Sequence, residues 1–403
     1  MKYDVLSILV AFVVALIVFP GVLWIAKKYN VVDNPNARKL QRAPVPLLGG
    51  AVVYLGILAG VLCFYLFAPL KTFPLGILGM TVMLIIGTWD DVKNLSVKIR
   101  FLIEILTVIG LIVYAKDCID DFHGLWGIHQ IPVYMAYPLS IIAGVGIINA
   151  LNLIDGIDGY SSGYGIFACI CFAVLFYVTG RSTLVVIALI TAMALFPFFM
   201  HNVFGKKTKM FIGDGGTLML GVLMTMFVFG SLSSQSACRI LDDRNFSLIA
   251  FALAVLCIPV FDTLRVMSAR ISRGLSPFRP DKTHLHHLFI DMGFSHLGAA
   301  FSIILLNAFV LVVWYLLYRL GLGIDGQVYA VLVMGVMVTF VFYRFMREQQ
   351  NGGGLDEDGK PRGTAIWHFF LCIGVKSHME TGTVWYYIRK FVDNDWFNKS
   401  DNS

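Results

Sequence analysis

The sequence predicts an all-α polytopic membrane protein, and three observations carry that prediction. Hydrophobic residues make up 58% of the 403-residue chain and charged residues only 14%, a balance outside the range of soluble domains. The mean hydropathy is +0.78. Apolar runs close to the roughly 20 residues that cross a bilayer recur along the chain, giving ten or eleven transmembrane helices.

The first run, Val5 to Ala26, has no small-residue cleavage site after it and is expected to remain as a span, not leave as a signal peptide. Leu47 to Leu70 carries Gly56 and Gly60, a spacing that lets a neighbouring helix pack closely. Pro74 to Trp89 is short and runs into Asp90 and Asp91. Ile99 to Ala115 follows, then Tyr137 to Ile154 and Gly159 to Thr179, the latter with Gly163 and Gly165 near its start. Ser182 to Met200, Ile212 to Gly230, Ser247 to Met267, Leu297 to Tyr318 and Gln327 to Phe345 complete the eleven runs. Residues 1–345 are thus expected to form an integral membrane domain and residues 346–403 a cytoplasmic tail. In that tail the apolar stretch Ala365 to Val375 is too short to span and is expected to lie at the interface.

The distribution of basic residues orients the bundle. With the N-terminus outside, all but seven of the 31 Lys and Arg residues fall on the inner side, as the positive-inside rule requires. The formal charge of +6 therefore reflects topology, and nothing in the pattern calls for nucleic acid. The longest outer loop, Lys116 to Met135, reads as a short hairpin. Seven cysteines show no paired spacing, so neither a disulfide framework nor a zinc site is expected, although a bond between Cys118 and Cys238 stays open.

The polar clusters then share the inner face. Asn149, Asn152, Asp155 and Asp158 recur every three residues, which would place them on one helical face, and Gly156 and Gly159 let the backbone turn beside them. Asp90-Asp91 closes the third run, and Asp214 opens the eighth, where a helix cap is the plain reading and a phosphate at the helix N-terminus the functional one. Arg38 and Lys39 could donate to phosphate or simply obey the charge rule. His284, His286 and His287 stand near Arg265, a donor surface for diphosphate or nucleobase; without a cysteine partner a zinc site is disfavoured. Five acids on one face would repel a phosphorylated substrate unless a hard divalent cation intervenes, which points to phosphoryl transfer. A secondary transporter would instead need its polar groups near mid-bilayer on broken helices.

Five ordered motifs resemble the polyprenyl-phosphate N-acetylhexosamine-1-phosphate transferases of glycosyltransferase family 4. They are Asp33-x-Pro-x-x-Arg-Lys, Gly87-x-x-Asp-Asp, Asn149-Ala-x-Asn-Leu-x-Asp-Gly-x-Asp-Gly, Phe211-x-Gly-Asp-x-Gly-Thr and Pro280-Asp-x-x-His-x-His-His. The last is closer to the branch that starts O-antigen and related carrier-linked polymers than to the peptidoglycan branch, whose phospho-MurNAc-pentapeptide transfer is the alternative. The resemblance implies transfer of a sugar 1-phosphate from a UDP-N-acetylhexosamine, such as the GlcNAc nucleotide, to undecaprenyl phosphate with release of UMP, at the cytoplasmic face of a bacterial inner membrane.

The same resemblance implies roles. Asp158 and Asp214 would hold Mg2+, or Mn2+ in its place. Asp90 would deprotonate or orient the lipid phosphate with Asp91 assisting, and Asp155 and Asn152 would shape the nucleotide side. His284, His286, His287 and Arg265 would hold the sugar-nucleotide phosphates, and a homodimer stays open. Gln41, Tyr160 and Thr217 depart from the family pattern, and Tyr160 and Gln41 bear on sugar and lipid preference and not on the reaction type.

Overall fold

The apolar runs fold as helices, and the most apolar-sided of them becomes the axis of the bundle. The computed structural model describes residues 2–35, 43–67, 73–278, 282–352, 388–389 and 391–393. In chain order the helices are α1 (Lys2–Lys28), α2 (Gly49–Tyr65), α3 (Phe73–Lys93), α4 (Val97–Ala115), α5 (Val133–Leu153), α6 (Tyr160–Val178) and α7 (Ser182–Phe204). After them come α8 (Gly213–Leu232), α9 (Leu248–Val255), α10 (Cys257–Ile271), α11 (Leu285–Asp291), α12 (His296–Arg319) and α13 (Ile324–Val336). A π turn, Met337–Val341, joins α13 to α14 (Phe342–Gly352), so helix continues across the expected domain boundary at residue 345. A two-residue antiparallel pair, Val32–Asp33 with Val45–Pro46, ties the loop between α1 and α2.

Every predicted run lies on a helix, yet fewer meet the demands of a full span. Among the described residues eight helices are long and apolar enough to cross a membrane, or nine if α9 and α10 together count as one. The shortfall has physical causes: α2 is 17 residues long, and α4 opens with Lys98, Arg100 and Glu104.

Helix α8 is the centre. Every residue in it except Asp214 and Met226 is buried, the mark of a helix that is apolar on all sides and surrounded by others. It packs against α2, α3 and α5. Two glycine pairs set those approaches: a methyl group on Gly87 would collide with the Gly215 backbone, and one on Gly50 would sit 2.5 Å from the Gly216 Cα. The N-terminal end of α8 is thereby pressed between α2 and α3, where the acids lie.

The ninth predicted span is broken, contrary to the continuous helix expected. α9 and α10 meet at 72°. Pro259 lacks the N–H that would bond the Val255 carbonyl one turn back, so the helix cannot run through. That carbonyl instead accepts from the Tyr164 hydroxyl at 2.7 Å and from Asn307 Nδ2 at 3.0 Å, while Asn307 Oδ1 accepts the Ile258 N–H at 2.8 Å. The bend is therefore a stitched elbow with its polar groups satisfied.

On the opposite end, the loop from residue 116 forms the expected hairpin, with an Asp121–Gln130 bridge and a turn at Leu125–Gly127. Cys118 and Cys238 are both free thiols, and Cys238 Sγ lies 3.5 Å from Thr179 Oγ1, so the disulfide left open by the sequence is absent. Arg38, Lys39, Gln41, Pro280, Asp281 and the stretch Ala365 to Val375 lie outside the described residues.

Candidate active site

The polar motifs of the sequence converge on one polar cavity of about 710 Å³ at the N-terminal end of α8. Asp33, Asp91, Asp155, Asp158, Asp214, Lys209, His287 and His296 line it. Asp91 reaches across from α3 and its Oδ2 accepts the Asp214 N–H at 2.9 Å, so an acid on another helix satisfies a free amide at the start of α8. The expected cap role of Asp214 itself is not what forms: the N-cap position is Ile212, without a side-chain bond. The Asp214 carboxylate faces the cavity, accepting from Asn152 Nδ2 at 2.9 Å, and Asn152 also donates to Thr217 Oγ1 at 2.9 Å.

Adjacent Asp90 is turned away. Its Oδ1 accepts the Leu95 N–H at 2.7 Å, and its Oδ2 pairs with Arg100 at 2.9 Å. Arg100 also lies 3.4 Å from Asp214 Oδ2 and 3.4 Å from Glu104 Oε1. Buried Glu104 in turn accepts from Asn149 Nδ2, which donates as well to the Val145 carbonyl at 3.0 Å. Asn149 is therefore part of the wall, not of the cavity.

The polar face predicted from Asn149 to Asp158 ends with Asn152, because α5 stops at Leu153 and Asp155 and Asp158 come from the turn that follows. Gly156 is needed there: a Cβ would strike the His286 ring. Gly159 has φ +80°, and its N–H donates to Asn202 Oδ1 at 2.6 Å. Burial pushes the Asp155 carboxyl up to about 7, opposed by the Ser161 hydroxyl at 2.6 Å and aided by the charges of Asp214 and Asp158. For Asp158 burial acts in the same direction, but His296, 2.8 Å from Oδ2, and the Lys209 ammonium, 2.6 Å away, outweigh it and hold the carboxyl below its ordinary range. The other Asp158 oxygen, Oδ1, is buried and has no hydrogen-bond partner among the described residues.

The histidine cluster is divided. His287 lines the cavity. His284 and Arg265 are gathered by buried Asp262: His284 Nδ1 lies 3.0 Å from Oδ2, and Arg265 Nη2 donates to Oδ1 at 2.6 Å and to the Thr283 carbonyl at 2.6 Å. Arg265 also stacks on Tyr343 at 3.7 Å. Burial drives His286 far below the usual imidazole value, so it is neutral between its two neighbours. Of the residues expected at the site, Asp91, Asp155, Asp158, Asp214 and His287 line the cavity and Asn152 braces it. Asp90, His284, His286 and Arg265 stand behind it.

Glycosyl transferase family 4 matches residues 73–231, the stretch holding α3 to α8 and four of the cavity acids. The undecaprenyl-phosphate alpha-N-acetylglucosaminyl 1-phosphate transferase of Escherichia coli (strain K12) is 31% identical over 295 residues, covering 71% of this chain and 76% of that protein. The chain belongs to glycosyl transferase family 4. The like-named family 4 protein of Yersinia pestis is 27% identical over 327 residues, covering 80% of this chain and 84% of its own. In this family 4 chain the histidine cluster and its Asp262 anchor lie beyond the matched stretch, on α10 and around α11. Two charged or titratable cavity residues escaped the sequence reading, Lys209 and His296. Lys209 had a signal in its place five residues before Asp214, and His296 in its place just past the histidine cluster; Arg100, which stands behind the cavity between Asp90 and Asp214, had none.

Proposed function

We propose that this family 4 chain transfers N-acetylglucosamine 1-phosphate from its UDP-sugar to undecaprenyl phosphate. The observation that carries the reading is the convergence of five motif acids with Lys209, His287 and His296 in one cavity, in a chain similar to enzymes named for that transfer. An oxygen of the lipid phosphate attacks the β-phosphorus, a new P–O bond forms, and the bond to the bridging oxygen breaks so that UMP leaves. A phosphate monoester is already largely ionised at neutral pH, so no strong base is required. Asp91, which faces the cavity, then serves by orienting the lipid phosphate, and Asp90 by holding Arg100. Asp155 and Asn152 shape the nucleotide side. His287 meets the sugar-nucleotide phosphates, while His284, His286 and Arg265 support it from behind; Arg38 and Lys39 stay candidates for phosphate contact.

The donor set fits Mg2+ or Mn2+. Five acids of the family motifs line one cavity, and the buried Oδ1 of Asp158 has no partner among the described residues. Mg2+ takes one or two carboxylates and completes its shell with phosphate oxygens and water. Asp158 and Asp214 would hold it. Bound there, such an ion neutralises diphosphate charge.

A separate apolar groove of about 680 Å³ is lined by Phe101 and Ile105 of α4, Leu139 and Ile142 of α5, Leu253 of α9 and Leu264 of α10. It suits an isoprenoid chain. The basic-residue distribution supports an outside N-terminus and a cytoplasmic site, and the bacterial relatives support an inner membrane. The test supplies membranes containing the protein with undecaprenyl phosphate, Mg2+ and a panel of UDP-sugars. UMP release and a lipid diphosphate sugar identified by mass are expected; no UMP from any sugar nucleotide with folded protein overturns the reading.

A further inference from the structure

The loop between α7 and α8 presents three consecutive backbone amides to a single anion, and that anion comes from the far end of the chain. The N–H of Lys206 donates to both oxygens of Asp393 at 3.1 and 3.0 Å, the N–H of Lys207 to Oδ1 at 3.1 Å, and the N–H of Thr208 to Oδ1 at 3.2 Å. The Thr208 hydroxyl adds a fourth donor at 2.9 Å. Successive amides turned to one point form a concave nest that has no internal acceptor and requires an anion. Asp393 is 8% exposed, and besides the nest its Oδ2 has the Arg389 guanidinium 3.9 Å away.

The nest is braced on its other sides. Because the Thr208 hydroxyl donates to Asp393, His201 Nδ1, 3.0 Å away, must carry the proton and donate to Thr208; its ring stacks on Phe19 at 3.9 Å. Lys27 Nζ donates to the Lys207 carbonyl at 3.1 Å. The very next residue after Thr208 is Lys209, whose ammonium meets Asp158 at 2.6 Å inside the cavity. We propose that Asp393 is a positioning residue for the reaction: by filling the nest it fixes the backbone from which Lys209 reaches Asp158.

The kinetic half of this inference rests on the transfer reading; the structural half does not. Hydrogen exchange on the full chain in detergent should show slow amides at residues 206–208, and Asp393→Asn, which keeps the shape and removes the charge, should speed them by about tenfold or more. Unchanged exchange overturns the proposal. In UMP-release assays Asp393→Asn should lower kcat about tenfold and Asp393→Glu should recover part of it. The double variant Asp393→Asn with Lys209→Ala should be no slower than Lys209→Ala alone, since both remove one pathway. Multiplying losses would overturn the link to Lys209. Absence of UMP from the unaltered protein would sink the transfer reading, and the exchange measurement would still decide the nest.

Discussion

Asp90 and Asp91 are neighbours in the chain and opposite in use, because successive residues of a helix point about 100° apart. Asp91 enters the cavity and Asp90 grips Arg100 outside it. UMP-release kinetics should therefore separate them: Asp91→Asn is expected to lower kcat by about 100-fold or more, the scale of removing one preorganised polar group, and Asp90→Asn by about tenfold through a displaced Arg100. Equal losses would argue against this division. Asp158→Ala and Asp214→Ala are each expected to reduce turnover below about 1%, measured with folding checked by size-exclusion profile. Retained activity in both would remove them as cation ligands.

At the scale of elements, packing around α8 decides where the acids stand. Gly87→Ala forces a methyl into the Gly215 backbone, and overpacking of this kind costs about 1–3 kcal/mol. A lower melting temperature in detergent is expected, with loss of activity exceeding that of an equally destabilising change on the lipid-facing side of α4. Asn307→Leu should destabilise as well, since it strips partners from the Ile258 N–H and the Ala254 carbonyl, at about 1–3 kcal/mol for each buried group left unpaired. A melting temperature unchanged by that substitution would mean the elbow is held by other contacts.

Over the whole molecule, what the sequence made legible follows the range of the interaction. Apolar runs are local, so all eleven appear as helices; Asp155 and Asp158 were legible because glycines flank them in one short motif. The elbow was half legible, in Pro259, but its closure by Asn307 joins residues 49 positions apart. The partners of the acids were not legible, since Arg100 and Asp214 are 114 residues apart and Asp158 and His296 138 apart, and only folding brings them together. Asp262 was visible as a letter and not as the anchor of His284 and Arg265. One prediction belongs to this scale: chelation with EDTA should stop UMP release and added Mg2+ restore it, whereas activity that survives chelation would remove the cation from the reading.

The apolar groove along α4, α5 and α10 lies on the flank of the bundle, where Ile142 and Leu264 are exposed. A surface of that kind in a bilayer is never bare; phospholipid tails occupy it between turnovers. A polyprenyl substrate seated in the groove as proposed must displace them, so its occupancy would follow its mole fraction in the membrane and not its amount per volume of assay. Diluting it with inert phospholipid at fixed total substrate should slow the enzyme, and long-chain detergents should act as competitors.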